Sequence, residues 1–141
     1  MNQPTTDSSD ALGGAHDELL EDLRTLRNVA QTEPFQQLLS RLIQTRHDLI
    51  EHFQFEEQNG YLDSVRKRDL CLDHTLTKLA GEHRSLLRSL DDILAQCQTP
   101  HPAQDNIRKR VQDWVHEVRG HEIRENDLIQ DAFTHDLGIG D

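Results

Sequence analysis

Six ionisable residues recur in a fixed order along this chain of 141 residues. A histidine is followed by a second histidine that has a glutamate four residues after it, and the same order is then repeated. Imidazole and carboxylate ligands together suit iron or manganese, and they also bind zinc. A histidine and a glutamate four positions apart share one helix face, so both can reach one ligand cluster. The pattern predicts a metal site formed by His16, His52, Glu56, His83, His121 and Glu125.

The segments that carry these residues have the apolar periodicity of helices. We predict helices from about Gly14 to Ala30, from Pro34 to Gln58, from Asp69 to Gln98 and from Ala103 to Phe133. The connections between them are short, so helices that follow one another should be antiparallel. The predicted fold is all-α, an antiparallel up-down-up-down four-helix bundle.

The six residues fall within the stripes that the helices should bury, whereas the other histidines do not. The predicted stripes are His16, Leu19, Leu23, Leu26 and Ala30; Phe35, Leu38, Leu42, Thr45, Leu49, His52 and Glu56; Leu72, Leu76, Leu79, His83, Leu86, Leu90, Ile93 and Cys97; and Ile107, Val111, Trp114, Val118, His121, Glu125 and Leu128. Solvent-exposed positions are predicted for His47, His74, His101, His116 and His135. Glu57, Glu82 and Glu122 adjoin stripe residues but lie off the stripes, and we expect them to be surface charges.

Burying four imidazoles and two carboxylates without partners would cost several kcal/mol per group, against a total stability of about 5–15 kcal/mol for a domain. The stripes contain no lysine or arginine that could balance the carboxylates. Metal ions are the simplest source of positive charge. Six ligands exceed the need of one tetrahedral zinc and match two metals that share bridging carboxylates. A mononuclear site and a hydrogen-bonded polar core without metal remain alternatives.

The ordered set of histidines and HxxxE pairs resembles the hemerythrin-like family, the HHE cation-binding domains, over about residues 14 to 133. The resemblance implies two iron ions with an oxo or hydroxo bridge, while the ligand types leave manganese and zinc as other candidates. It implies that one iron is bound by His16 and His52 and the other by His83 and His121. Glu56 and Glu125 would then bridge the two irons.

This resemblance implies a non-haem diiron protein that binds O2 or a related small ligand, such as peroxide or nitric oxide, in an oxygen, redox or iron response. Oxygen-carrying members have a further histidine where this chain has Leu87, and a last carboxylate where it has Asn126. These departures favour oxidation, peroxide chemistry or metal loss over stable O2 storage. Two alternatives follow: a diiron enzyme with ferroxidase, peroxidase or nitric-oxide-handling activity, and a metal-dependent interaction module.

Composition limits the remaining function classes. A formal charge of −11 argues against nucleic acid as a partner, because phosphate binding needs clustered basic residues. The chain has neither a signal-peptide pattern at its N-terminus nor an apolar run long enough for a membrane span, so we expect a cytoplasmic protein. We predict a disordered tail over residues 1–12, the bundle over 13–134 and a second tail over 135–141.

Overall fold

Four α-helices make up the described part of the chain. The computed structural model describes the backbone of residues 8–58 and 73–139, and the side chains of residues 17–57 and 73–131. The helices are α1 (Ser8–Thr32), α2 (Phe35–Gln58), α3 (Asp73–Cys97) and α4 (Gln104–Ile139). The prediction of an all-α four-helix bundle is confirmed.

Proline-containing breaks separate the helices within each half of the chain. Pro34 lies between α1 and α2, and its carbonyl accepts a hydrogen bond of 3.1 Å from the Leu38 amide, so it begins the first turn of α2. A proline is favourable there because its missing N–H would have no partner within the helix. Pro100 and Pro102 lie in the break between α3 and α4.

Each helix packs against the helices before and after it in the chain, and α1 also packs against α4, which closes the bundle. Side-chain pairs give the helix directions. Along α2 and α3, Arg46 pairs with Asp91 while Glu57 pairs with His83, so residue numbers rise on one helix as they fall on the other. Trp114 and His121 of α4 likewise contact Leu86 and Glu82 of α3 in reverse order. Both helix pairs are antiparallel.

The core is rich in leucine and follows the predicted stripes closely in α1 and α3. In these two helices every stripe residue whose side chain is described is buried. Phe35 and Thr45 of α2 are only partly buried, and Phe53 of α2 and Val115 of α4 join the core although the stripes omitted them.

The C-terminal part of α4 departs from the predicted stripe. Leu128 is only partly buried, whereas Ile129 and Glu122 are fully buried, so the prediction was wrong at these positions. The buried residues Ile107, Val118 and Ile129 are spaced by eleven. Three turns of an ordinary α-helix contain about eleven residues, and a strict seven-residue pattern drifts by about 20° per repeat relative to it. The drift brings a neighbouring set of side chains to the core.

The helix ends differ from prediction at both termini. α1 begins at Ser8, within the segment predicted as a tail, and α4 continues to Ile139, beyond the predicted end at Phe133. Cys97 is a free thiol and is buried, as its place in the predicted stripe indicates, while Cys71 and Leu72 lie outside the described residues. Across the described helices, none combines the length and the apolar character that crossing a bilayer requires.

Candidate metal centre

The predicted separation of inward and outward histidines is confirmed for every such residue whose side chain is described. Buried positions are occupied by His52, Glu56, His83, His121 and Glu125. His47, His74, His101 and His116 are exposed. The side chains of His16 and His135 lie outside the described residues, so their orientations remain predictions.

Two histidines from neighbouring helices converge on one carboxylate oxygen. His83 Nε2 of α3 lies 3.2 Å from Glu125 Oε2 of α4, and His121 Nε2, one turn earlier on α4, lies 3.1 Å from the same oxygen. These three residues each offer a ligand atom within 4.8 Å of the others. We call them the imidazole group.

The outer nitrogens of these two histidines are held by glutamates from the adjacent helix. His83 Nδ1 is 3.0 Å from Glu57 Oε1, and His121 Nδ1 is 2.7 Å from Glu82 Oε1. A carboxylate at Nδ1 fixes the ring orientation and favours the tautomer with Nε2 free to accept a metal. Glu82 also accepts a hydrogen bond of 3.0 Å from Arg124.

Glu57 and Glu82 were predicted to be surface charges, and both do reach solvent, with about 50% and 27% of the side chain exposed. Their contacts with histidines were nonetheless missed. The available signal was their position in sequence, since Glu57 follows Glu56 and Glu82 precedes His83. Only the helix packing shows that each carboxylate reaches a histidine of the next helix.

A second group of potential ligands surrounds His52. Its Nε2 lies 2.7 Å from Glu56 Oε1 and 2.9 Å from Glu122 Oε2. With Glu125, these residues again offer ligand atoms within 4.8 Å of one another. We call His52, Glu56, Glu122 and Glu125 the carboxylate group.

The prediction that Glu122 is a surface charge is wrong. Its side chain is fully buried and it contacts His52 across the bundle. The heptad pattern placed Glu122 beside the stripe, but the drift along α4 turns it into the core together with His121 and Glu125. Three glutamates are therefore buried at this level of the bundle instead of the two that were predicted.

Glu125 belongs to both groups, which makes the two groups adjacent. It was predicted as a bridging carboxylate, and its position fits that role. Glu56 was predicted as the second bridge, but it falls within the carboxylate group and not within the imidazole group. Each group could hold a metal ion, and Glu125 is a potential ligand in both.

Burial and nearby charges shift the pKa values of His52 and His121 in opposite directions. Burial opposes protonation of His52, but the carboxylates of Glu122 and Glu56 outweigh it and raise its pKa to about 9. Burial lowers the pKa of His121, assisted by the neighbouring His83 imidazole and opposed by Glu82. A neutral His121 is the form that binds a metal. His52 without a metal carries a proton that a cation would displace.

Some buried atoms of the site lack hydrogen bonds within the described part of the chain. Neither oxygen of Glu56 has such a bond, although His52 Nε2 lies 2.7 Å from its Oε1. Nε2 of His121 also has none, although Glu125 lies nearby. Leaving such groups unsatisfied is costly, and a cation among them would satisfy both carboxylate and imidazole lone pairs. The donor set fits a metal.

An aromatic ring forms the apolar wall of the imidazole group. The Phe53 ring stacks on the His83 ring with centroids 3.8 Å apart and an angle of 6° between the planes. It also meets His121 edge-on at 5.9 Å. Phe53 adjoins His52 in sequence but was not predicted as part of the site. It covers one face of the His83 ring and restricts the rotation of that ring.

A cleft of about 530 Å³ between α2 and α3 reaches the imidazole group. Its lining includes Phe53, His83 and Leu87. Gly81 also lines the cleft, and a Cβ at this position would meet no described atom within 4 Å. A small molecule can therefore approach His83 from this side.

Comparison of the chain with models of protein families, with curated proteins and with solved structures found no match.

Proposed function

We propose that this chain is a dinuclear metal protein of the hemerythrin-like kind, with two iron ions that bind O2 or a related small ligand in oxygen, redox or iron response. The observation that carries the proposal is the position of Glu125 in two adjacent groups of buried ligands. A shared carboxylate is the usual means of holding two cations close together in four-helix bundles.

The chain's own residues would fix the metals and limit their surroundings. Glu125 would contact both ions, while His83 and His121 would present Nε2 because Glu57 and Glu82 occupy their Nδ1 atoms. Paired irons supply electrons to O2 when reduced. Phe53 would hold the His83 ring in place by stacking on it, and the neighbouring cleft would give a small ligand access to the imidazole group.

The proposal is tested by elemental analysis of the protein from iron-replete cells, together with absorption spectra recorded as O2 is admitted to the reduced protein. We expect two irons per chain and a new charge-transfer band when O2 enters. Protein that retains less than one metal per chain under these conditions, and takes up none when Fe(II) is added anaerobically, would overturn the proposal.

A turnover assay on the same iron-loaded protein separates ligand binding from catalysis. Leu87, beside His83 in the cleft, supplies an apolar surface where an oxygen carrier has an imidazole, and this favours an enzyme as the second candidate. A ferroxidase or peroxidase would show steady turnover with Fe(II) or peroxide. A binding protein would show a spectral change that is stoichiometric with the diiron centre and reverses when O2 is removed.

A further inference from the structure

The two ligand groups differ in their balance of imidazoles and carboxylates. The imidazole group has two histidines and one glutamate, whereas the carboxylate group has one histidine and three glutamates. Glu122 creates much of this difference, because without it the carboxylate group would have only two glutamates. A contribution from His16 would add an imidazole to one group but would leave the three carboxylates in place.

We infer that the two metal positions are chemically unequal, and that Glu122 makes the carboxylate group a site for a hard divalent cation such as Mn²⁺ or Fe²⁺. This inference rests on the proposed dinuclear site. Carboxylate ligands suit manganese, while imidazole ligands suit zinc and iron. The imidazole group should consequently favour Zn²⁺ or Fe²⁺ and bind Mn²⁺ poorly.

Charge and burial indicate which of the two groups should bind the first Mn²⁺ ion. Glu56, Glu122 and Glu125 are all fully buried, and in the carboxylate group their ligand atoms lie within 4.8 Å of one another. Like charges this close repel strongly away from water, and a divalent cation among them relieves that repulsion. The imidazole group has Glu125 as its single carboxylate, and shares it. The first Mn²⁺ should therefore enter the carboxylate group.

The inference is tested by equilibrium dialysis of the metal-free full-length chain against MnCl2 alone and ZnSO4 alone. We expect one tightly bound Mn²⁺ per chain, with the six-line paramagnetic resonance spectrum of an isolated ion, and two bound Zn²⁺. Glu122→Gln keeps the side-chain shape but removes the charge, and should weaken Mn²⁺ binding about tenfold or more. The same substitution should change the affinity for the more tightly bound of the two Zn²⁺ ions less than about threefold.

His83→Ala supplies the opposite variant, because it alters the imidazole group alone. This substitution should weaken binding of the more tightly bound Zn²⁺ about tenfold or more, and it should change the affinity for Mn²⁺ less than about threefold. Glu21→Gln is the matched control, since Glu21 is an exposed glutamate of α1 that pairs with Arg24. Circular dichroism of each variant checks the helices. Should Glu122→Gln not fold, the Mn²⁺ stoichiometry of the unaltered chain and His83→Ala still decide.

Two Mn²⁺ bound with equal affinity, or equal losses of Mn²⁺ and Zn²⁺ affinity in Glu122→Gln, would overturn this inference and leave the dinuclear proposal standing. Failure of the unaltered chain to bind any of Mn²⁺, Zn²⁺ and Fe²⁺ would instead overturn the proposed function itself.

Discussion

Carboxylate–histidine pairs between neighbouring helices are the recurring feature at the scale of single residues. Glu57 of α2 contacts His83 of α3, and Glu82 of α3 contacts His121 of α4. Each pair leaves the inner nitrogen directed at Glu125. Glu57 and Glu82 therefore act on the site by orienting imidazoles, without being ligands in either group.

Replacing Glu82 tests this role. We expect Glu82→Ala to weaken Zn²⁺ or Fe²⁺ binding by about 10- to 100-fold, because His121 loses the partner that fixes its ring and tautomer. Metal affinity of the purified metal-free protein is measured by competition with a chelating dye. Glu117→Ala is the control, since Glu117 is exposed on α4 and should leave the affinity unchanged. Equal losses in the two variants would contradict the orienting role.

His52 makes the stability of the metal-free chain depend on pH. Its pKa is raised to about 9 in the folded chain from an ordinary value of 6.5, so the folded state binds its proton more tightly. The resulting stabilisation is fully present below about pH 6.5 and is lost as the pH rises through about 9. The lowered pKa of His121 acts below pH 6.5, outside this window.

We therefore expect the free energy of unfolding of the metal-free chain to fall by up to about 3 kcal/mol between pH 6.5 and 9.5. Urea denaturation followed by circular dichroism measures the change. His52→Gln should lack this component. An unaltered chain whose stability is constant or rises across this pH range would show that His52 is not protonated within the folded site.

At the scale of the helices, a leucine-rich core supports the polar layer. Trp114 of α4 is buried in this core and donates a hydrogen bond of 2.9 Å to the Leu86 carbonyl of α3. Because Leu86 is one turn from His83, this contact positions the two helices close to the imidazole group. Packing against α2 is provided partly by Phe53, whose ring is stacked on His83.

Two adjacent residues of α2 allow a substitution in the core to be compared with a substitution on the helix surface. Leu42 is fully buried, whereas Ile43 is 54% exposed. Leu42→Ala should lower the free energy of unfolding by about 2–5 kcal/mol, because it removes buried apolar contacts and leaves a cavity. Ile43→Ala should change it by about 0.5 kcal/mol or less. Chemical denaturation measures both, and similar values would contradict the packing of α2.

At the scale of the whole molecule, the bundle concentrates negative charge in its interior and also has a formal charge of −11. The interior charge comes from Glu56, Glu122 and Glu125. Their burial opposes folding unless cations are bound, so metal and fold should be coupled. Because of this coupling, the effect of metal on the melting temperature can be measured without knowing the small ligand.

Removal of metal with a chelator should lower the melting temperature of the metal-loaded protein by on the order of 10 °C when free metal was about 100 times its Kd. His52→Ala and Glu125→Ala should release metal and have little further response to chelator. His74→Ala, an exposed control on α3, should keep the full response. Differential scanning calorimetry makes the comparison. Equal responses in all three variants would contradict the assignment of inward and outward residues.

The sequence by itself determined the helices, their antiparallel order and the burial of the five described members of the predicted ligand set. These features follow from local periodicity, because residues three or four positions apart must share a helix face. The seven-residue pattern did not predict the burial of Glu122 and Ile129, because such a pattern drifts around the helix along the length of α4.

Only the tertiary structure decided which side chains meet across helices. Glu57 and Glu82 reach histidines of another helix, and Glu125 is shared by two ligand groups. Such contacts depend on the rotation and height of each helix against its neighbours, which the spacing within one helix does not specify. Periodicity selects the face that each helix buries, and packing selects the partners on that face.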